Sequence, residues 1–141
     1  MWVQRALRIE APLRGVHPTT REVLGTLPDL ARTRIGMLNV FIRRTSAALS
    51  RIGDARPGVR RDLDAWPDDA VREDSPYWTH VVEGPDDIPA HVKAVIVGRS
   101  PLIPVSAGRP ALGTWQGIYL LEHRDHGSAR DVMLTAWGEA A

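Results

Sequence analysis

Apolar and polar positions alternate toward both ends of this chain and take on a helical rhythm only in its middle. Trp2 to Glu10 mixes β-branched and apolar residues with Gln4, Arg5 and Arg8, which predicts an opening strand that pairs with a later segment. The turn formers Pro12 and Gly15 end it. Thr19 or Thr20 is placed to cap a helix, with Glu22 close enough for a capping box, and Val23, Leu24, Leu27, Leu30 and Ala31 follow at helical spacing. Pro28 lies inside that pattern and predicts a break or a new helical turn. Ile35 to Arg43 carries the strongest strand signal, with apolar residues on both phases, and predicts a central strand. Arg44-Thr45-Ser46 interrupts it, and Ala47 to Ser50 resumes the extended form.

Pro57 suits the first turn of a short helix through Val59, Leu63 and Trp66 that Pro67 stops. Pro67 to Pro76 is acidic and rich in turn formers, which predicts a surface loop. Asp86 or Asp87 can cap a further helix, with Pro89 early in it and Gly98 just past its last apolar residue. The free N–H groups of such a helix start favour anions; the plainer alternative is that the aspartates only cap. Ser100 to Val105 forms a short strand, Ser106-Ala107-Gly108-Arg109 a turn, and Leu112 to His123 a long strand containing Gly113 and Gly117. After a turn from Arg124 to Ser128, Asp131 to Trp137 runs back as the last strand. Strands at both ends with short helices between them predict an α+β domain with a largely antiparallel sheet.

Composition narrows the partners more than it defines the chemistry. A chain of 141 residues, 43% hydrophobic and 25% charged, suits one globular domain spanning 1–141. A formal charge of +1 with scattered basic residues gives no reason to expect nucleic acid. No apolar run approaches the roughly 18 residues of a membrane span, and the charges within MWVQRALRIE do not suit a signal peptide. Zero cysteines exclude disulfides, thiolate catalysis and cysteine-based zinc sites, in keeping with a cytoplasmic location.

Candidate chemistry concentrates in His80 to Lys93, HVVEGPDDIPAHVK. It holds His80, His91, Glu83, Asp86, Asp87 and Lys93, the only lysine beside 17 arginines. A compact ammonium there serves where a planar guanidinium would not, or it is a chance survivor of arginine bias. The two histidines lack a standard zinc spacing, yet converge if the loop folds over the helix start, with the carboxylates as oxygen donors for zinc or magnesium. The alternative is one structural histidine and one exposed. Trp115 is expected in the core, with Gln116 on the opposite strand face, and His123 and His126 are expected in solvent around a turn. No Walker loop, dinucleotide glycine pattern or nucleophile elbow is present.

Five motifs belong together: Arg44-Thr45-Ser46-Ala47, Glu83-Gly84-Pro85-Asp86-Asp87, Pro89-Ala90-His91-Val92-Lys93, Ile103-Pro104-Val105 and Gly113-Thr114-Trp115-Gln116-Gly117. In combination they resemble the YjbQ family, small proteins associated with secondary thiamine-phosphate synthesis, and the likeness runs from Met1-Trp2-Val3-Gln4-Arg5 to Gly138-Glu139. The resemblance implies a compact α+β sandwich, mostly antiparallel with short helices, assembled as a homotrimer with pockets near subunit boundaries. It also implies a divalent-metal (zinc or magnesium) or anion site around the family's histidines. His80 and His91 match two of those positions, and Glu83, Asp87, Lys93 and Gln116 would line the pocket.

The third position departs from the pattern. Where the family usually has His-Thr-Ser-Ala, this chain has Arg44, whose guanidinium has no acceptor and cannot ligate a metal. The family's Asn-Glu pair is replaced by Ile52-Gly53. These changes predict a weakened or lost metal, with Arg44, flanked by Thr45 and Ser46, holding a phosphate or carboxylate instead. The implied activity joins an aminopyrimidine diphosphate to a thiazole phosphate and releases pyrophosphate. Lys93, Arg44 and the helix start would supply positive charge, and Glu83 or His91 would move protons. The alternative is a non-catalytic trimeric binding module for a phosphorylated or anionic metabolite.

Overall fold

The computed structural model describes residues 1–11, 13–53 and 56–141. Strands β1 (Trp2–Glu10), β8 (Ala129–Ala140), β3 (Thr33–Ile42), β5 (Leu102–Ser106) and β6 (Arg109–Pro110) lie side by side in that order. A second sheet has the order β2 (Leu13–Pro18), β7 (Gln116–His126), β4 (Ala47–Gly53). Every pairing is antiparallel. The helices are α1 (Thr20–Thr26), a 3-10 turn at Pro28–Arg32, α2 (Pro57–Ala70) and α3 (Asp87–Val97). The expected α+β architecture of antiparallel sheets with short helices is what the chain adopts.

Strand alternation decides what fills the space between the sheets. Leu38, Val40 and Ile42 of β3 and Val132, Leu134 and Ala136 of β8 point inward against Leu49, Ile118 and Leu120, while Val23, Leu27 and Leu30 close one end. Burying each Leu, Ile or Val contributes roughly 1.5–3 kcal/mol. The other face of the second sheet carries Val16, Ala48, Ile52, Tyr119 and Leu121, packed against Leu63 of α2 and Val97 of α3. Strand β7 is therefore covered on both faces, and its burial hardly alternates from Gly117 to His123. At the crossing of β3 and β8, Gly36 pairs with Gly138. A Cβ on Gly36 would lie 2.2 Å from the Trp137 carbonyl oxygen, so only glycine lets these strands approach.

Several local expectations are corrected. Gly15 does not end the extended chain but sits in β2, at an irregularity between Leu13 and Gly15 that its φ of +146° accommodates. Pro12, the other expected turn former, lies outside the described residues. The capping box at α1 does not form. The Thr19 hydroxyl donates to the Ile118 carbonyl (2.8 Å) and Thr20 Oγ1 accepts the Ile118 N–H (2.8 Å), tying the helix start to β7. Pro67 does not stop α2, which continues to Ala70, so the acidic stretch begins helical rather than as a loop. Pro67 forfeits the bond its position would make to the Leu63 carbonyl, yet the three residues beyond it stay helical. Trp115 is 65% exposed rather than core, Gly113 precedes β7, and His123 is 5% exposed rather than solvated because β7 runs on to His126.

Candidate metal and anion cleft

Helix α3 positions the chemistry. Gly98, at φ 100°, ends the helix and donates its N–H to the Ala94 carbonyl at 2.9 Å. Ala90, Lys93 and Ala94 form the buried stripe toward the second sheet. Asp87 and His91, one turn apart, share the edge next to it. Two residues further along a helix turns the chain through roughly half a circle, so His91 and Lys93 leave it on opposite sides.

The His80 Nε2 lies 2.8 Å from Asp87 Oδ2, and His91 Nε2 lies 3.2 Å from the same oxygen. The two imidazoles meet edge to face with centroids 5.7 Å apart. Arg124 of β7 holds the acidic side in place. It donates from Nη1 to Asp87 Oδ1 (2.7 Å), from Nε to Asp86 Oδ2 (2.9 Å) and from Nη2 to the Glu83 carbonyl (3.0 Å). The Asp125 N–H adds a bond to Asp86 Oδ2 at 2.9 Å. Burial disfavours the Asp86 charge, but the Asp125 N–H and then Arg124 outweigh it, and the carboxyl titrates below its ordinary range. The hydrogen bond with Asp86, opposed by burial, raises the Arg124 guanidinium further. Neither aspartate makes the expected capping bond, because both carboxylates are committed to Arg124 and the histidines.

An open cleft of about 460 Å³ surrounds this cluster. His80, Glu83, Asp87, His91 and Arg124 line it on one side, and Arg43, Arg44, Thr45 and Ser46, from the link between the two sheets, on the other. Among the described residues the Arg43 and Arg44 side chains make no hydrogen bond or ion pair. Ligand atoms of His80, Asp87 and His91 fall within 4.8 Å of one another. Two imidazole nitrogens and one carboxylate oxygen, with Asp87 oriented from behind by Arg124, fit a zinc-like cation with open positions left over. Arg44 adds no ligand to that set.

The expected pocket thus comes together for His80, Glu83, Asp87, His91, Arg44, Thr45 and Ser46, but not for two residues. Lys93 is 2% exposed and its Nζ sits 2.5 Å from Asp68 Oδ1 at the end of α2. Gln116 lies elsewhere on the surface, its Oε1 accepting the Gly113 N–H at 2.8 Å. Two lining residues escaped the sequence analysis. Arg43 adjoins Arg44 and was legible as a doublet, whereas Arg124 was assigned to a turn and has no local signal.

Comparison with known proteins bears on the family and the fold. The pattern of the family described as "UPF0047 protein YjbQ-like" matches residues 5–139. The chain is 41% identical to the UPF0047 protein YjbQ of Escherichia coli O157:H7 over 139 residues, covering 99% of this chain and 100% of that protein. It is 34% identical to the UPF0047 protein YugU of Bacillus subtilis over 106 residues, 73% of this chain and 75% of that one. In fold it is similar to a YbjQ-like protein of unknown function from Sulfolobus solfataricus, with TM-score 0.86, 21% identity and 99% of each chain covered. A hypothetical protein from Aeropyrum pernix K1 gives TM-score 0.85 at 29% identity, covering 97% of this chain and 99% of that one. With family pattern, sequence identity and fold in agreement, the chain belongs to the YjbQ (UPF0047) family.

Proposed function

We propose that the cleft binds a phosphorylated or otherwise anionic metabolite, with a loosely held divalent cation at His80, Asp87 and His91. The pair Arg43 and Arg44 carries this reading: two cationic guanidiniums without a partner among the described residues line the same cleft as the His-Asp-His cluster. A guanidinium meets a phosphate or carboxylate with two parallel hydrogen bonds. Thr45 and Ser46 add hydroxyl donors beside it. A cation at the histidines is repelled by Arg44 when alone, and an anion lying between them is attracted by both.

A second reading is transfer chemistry, in which an aminopyrimidine diphosphate joins a thiazole phosphate and pyrophosphate departs. It is favoured by Glu83 and His91 lining the cleft with the guanidiniums, since one can move a proton where the others stabilise a leaving pyrophosphate. Lys93 has no part in either reading, because its ammonium is buried on Asp68.

Thermal shift with pyrophosphate, with and without zinc, is the test. Saturating ligand at a hundredfold its Kd stabilises by about 2.7 kcal/mol, and Arg44→Ala should abolish most of this. Stabilisation without turnover supports binding; thiamine phosphate formed by the natural chain and lost in His91→Ala supports transfer. No shift with any anion overturns both. Elemental analysis should find less metal in the natural protein than in Arg44→His, which restores an imidazole at that position. The homotrimer forms part of the proposal, and light scattering that gives the mass of one 15.6 kDa chain contradicts it.

A further inference from the structure

A cavity of about 20 Å³ lies between α2 and the paired strands β2 and β7. Arg14, Asp64, Asp68, Glu122 and His123 are the polar part of its lining. Two buried nitrogens of these residues, Arg14 Nε and His123 Nε2, have no hydrogen-bond partner among the described residues. His123 as a whole is 5% exposed. Such orphans are costly, and native interiors contain few of them.

The lining decides what kind of molecule answers both nitrogens. An anion would face the carboxylates of Asp64 and Asp68. A metal ion would face the Arg14 guanidinium, and the carboxylate of Asp68 already receives Arg14 and Lys93. An apolar guest would leave both nitrogens unsatisfied. A neutral molecule that both donates and accepts fits, and by this measure of volume about 10–15 Å³ suffices for one water.

We propose that the cavity is a binding site for one structural water, which accepts the Arg14 Nε–H and hydrogen-bonds His123 Nε2. A carboxylate oxygen of Asp64 or Asp68 takes its remaining proton, giving the three bonds usual for an internal water. The site belongs to the docking of α2, which rests on the second sheet through Leu63 and through polar contacts. Asp68 bonds Arg14 and Lys93, Arg60 Nη2 donates to the Val16 carbonyl at 3.2 Å, and the Arg60 guanidinium lies 5.4 Å from the Tyr119 ring centre.

A crystal structure of the full chain at a resolution that shows ordered solvent is the direct test. The expected result is one solvent peak within about 2.7–3.2 Å of both nitrogens. Oxygen-17 relaxation dispersion counts long-lived internal waters in solution. His123→Phe should lower that count by one, and His123→Gln, whose amide keeps a polar atom near the cavity, should preserve it. Both nitrogens satisfied by protein groups, a peak too electron-rich for oxygen, or a count unchanged in His123→Phe would each overturn the assignment.

Discussion

On one edge of α3, Asp87 and His91 open onto a cleft where two guanidiniums have no partner among the described residues; on the opposite side, Lys93 is enclosed and bonded to Asp68. Asp68 also receives Arg14, which extends to Glu73 at 3.0 Å and Asp125 at 2.5 Å. Burial opposes the Asp68 charge, yet the hydrogen bond and charge of Lys93, with Arg14 behind them, hold its carboxyl below the ordinary range. Between the sheets, Glu122 and Arg130 form a further ion pair, with Glu122 also accepting the Arg124 N–H at 3.1 Å. The enclosed charges are spent on one another, and the open ones are available to a ligand. Residue type alone does not separate these cases: the sole lysine invites a catalytic role, and an arginine in a histidine's place suggests decay.

If that contrast holds, substitutions on the enclosed side should register as stability and those in the cleft as binding. The largest effect is expected from Arg130→Met, which leaves Glu122 buried without its counter-ion and should cost about 3–5 kcal/mol in urea denaturation. Second comes pH. Burial, then the nearby charge of Lys93, lowers the His123 pKa from 6.5 to about 4, with Asp68 opposing. Between these values the unfolded chain takes up a proton that the folded chain refuses. Stability should be highest above about pH 6.5, fall by roughly 3 kcal/mol as pH approaches 4, and level off below on this account. His123→Leu should flatten that slope; an unchanged slope would show that another group causes it. The depressed carboxyls of Asp68 and Asp86 act at lower pH, their contribution being lost only as pH falls through their folded values.

Lys93→Met should follow at about 2 kcal/mol, because Arg14 still neutralises the half-exposed Asp68. Zinc and phosphate binding should survive in this variant once it is assayed well below its melting temperature. A Lys93→Met protein that is fully stable yet ligand-free would reverse the contrast drawn here. The smallest stability effect belongs to Arg44→Ala, within about 0.5 kcal/mol, coupled to the loss of stabilisation by pyrophosphate.

What the sequence revealed follows from how local each cause is. Strand β1 was bounded correctly at Trp2 and Glu10, because a strand with one open face alternates along its own length. The central placement of β3 holds too, although Ile35 and Phe41 of its second apolar phase lie exposed. Strand β2 was missed because proline and glycine at edge or bulge positions look like turns, and only pairing with β7 reveals the strand. The cleft was half legible: the motif residues converge, but Arg124 lies more than thirty residues from the aspartates it orients, and no spacing rule links them. The role expected of Lys93 fails because its partner, Asp68, lies in a stretch whose acidic residues and turn formers predict a surface loop but which begins as helix.

Having a single lysine behind α2 also makes the chain its own conformational reporter. Acylating reagents need an accessible amine, and the one side-chain amine of the sequence, on Lys93, is 2% exposed and bonded to Asp68 in the folded protein. An acyl mass at Lys93 therefore records each occasion on which α2 has lifted from the sheet.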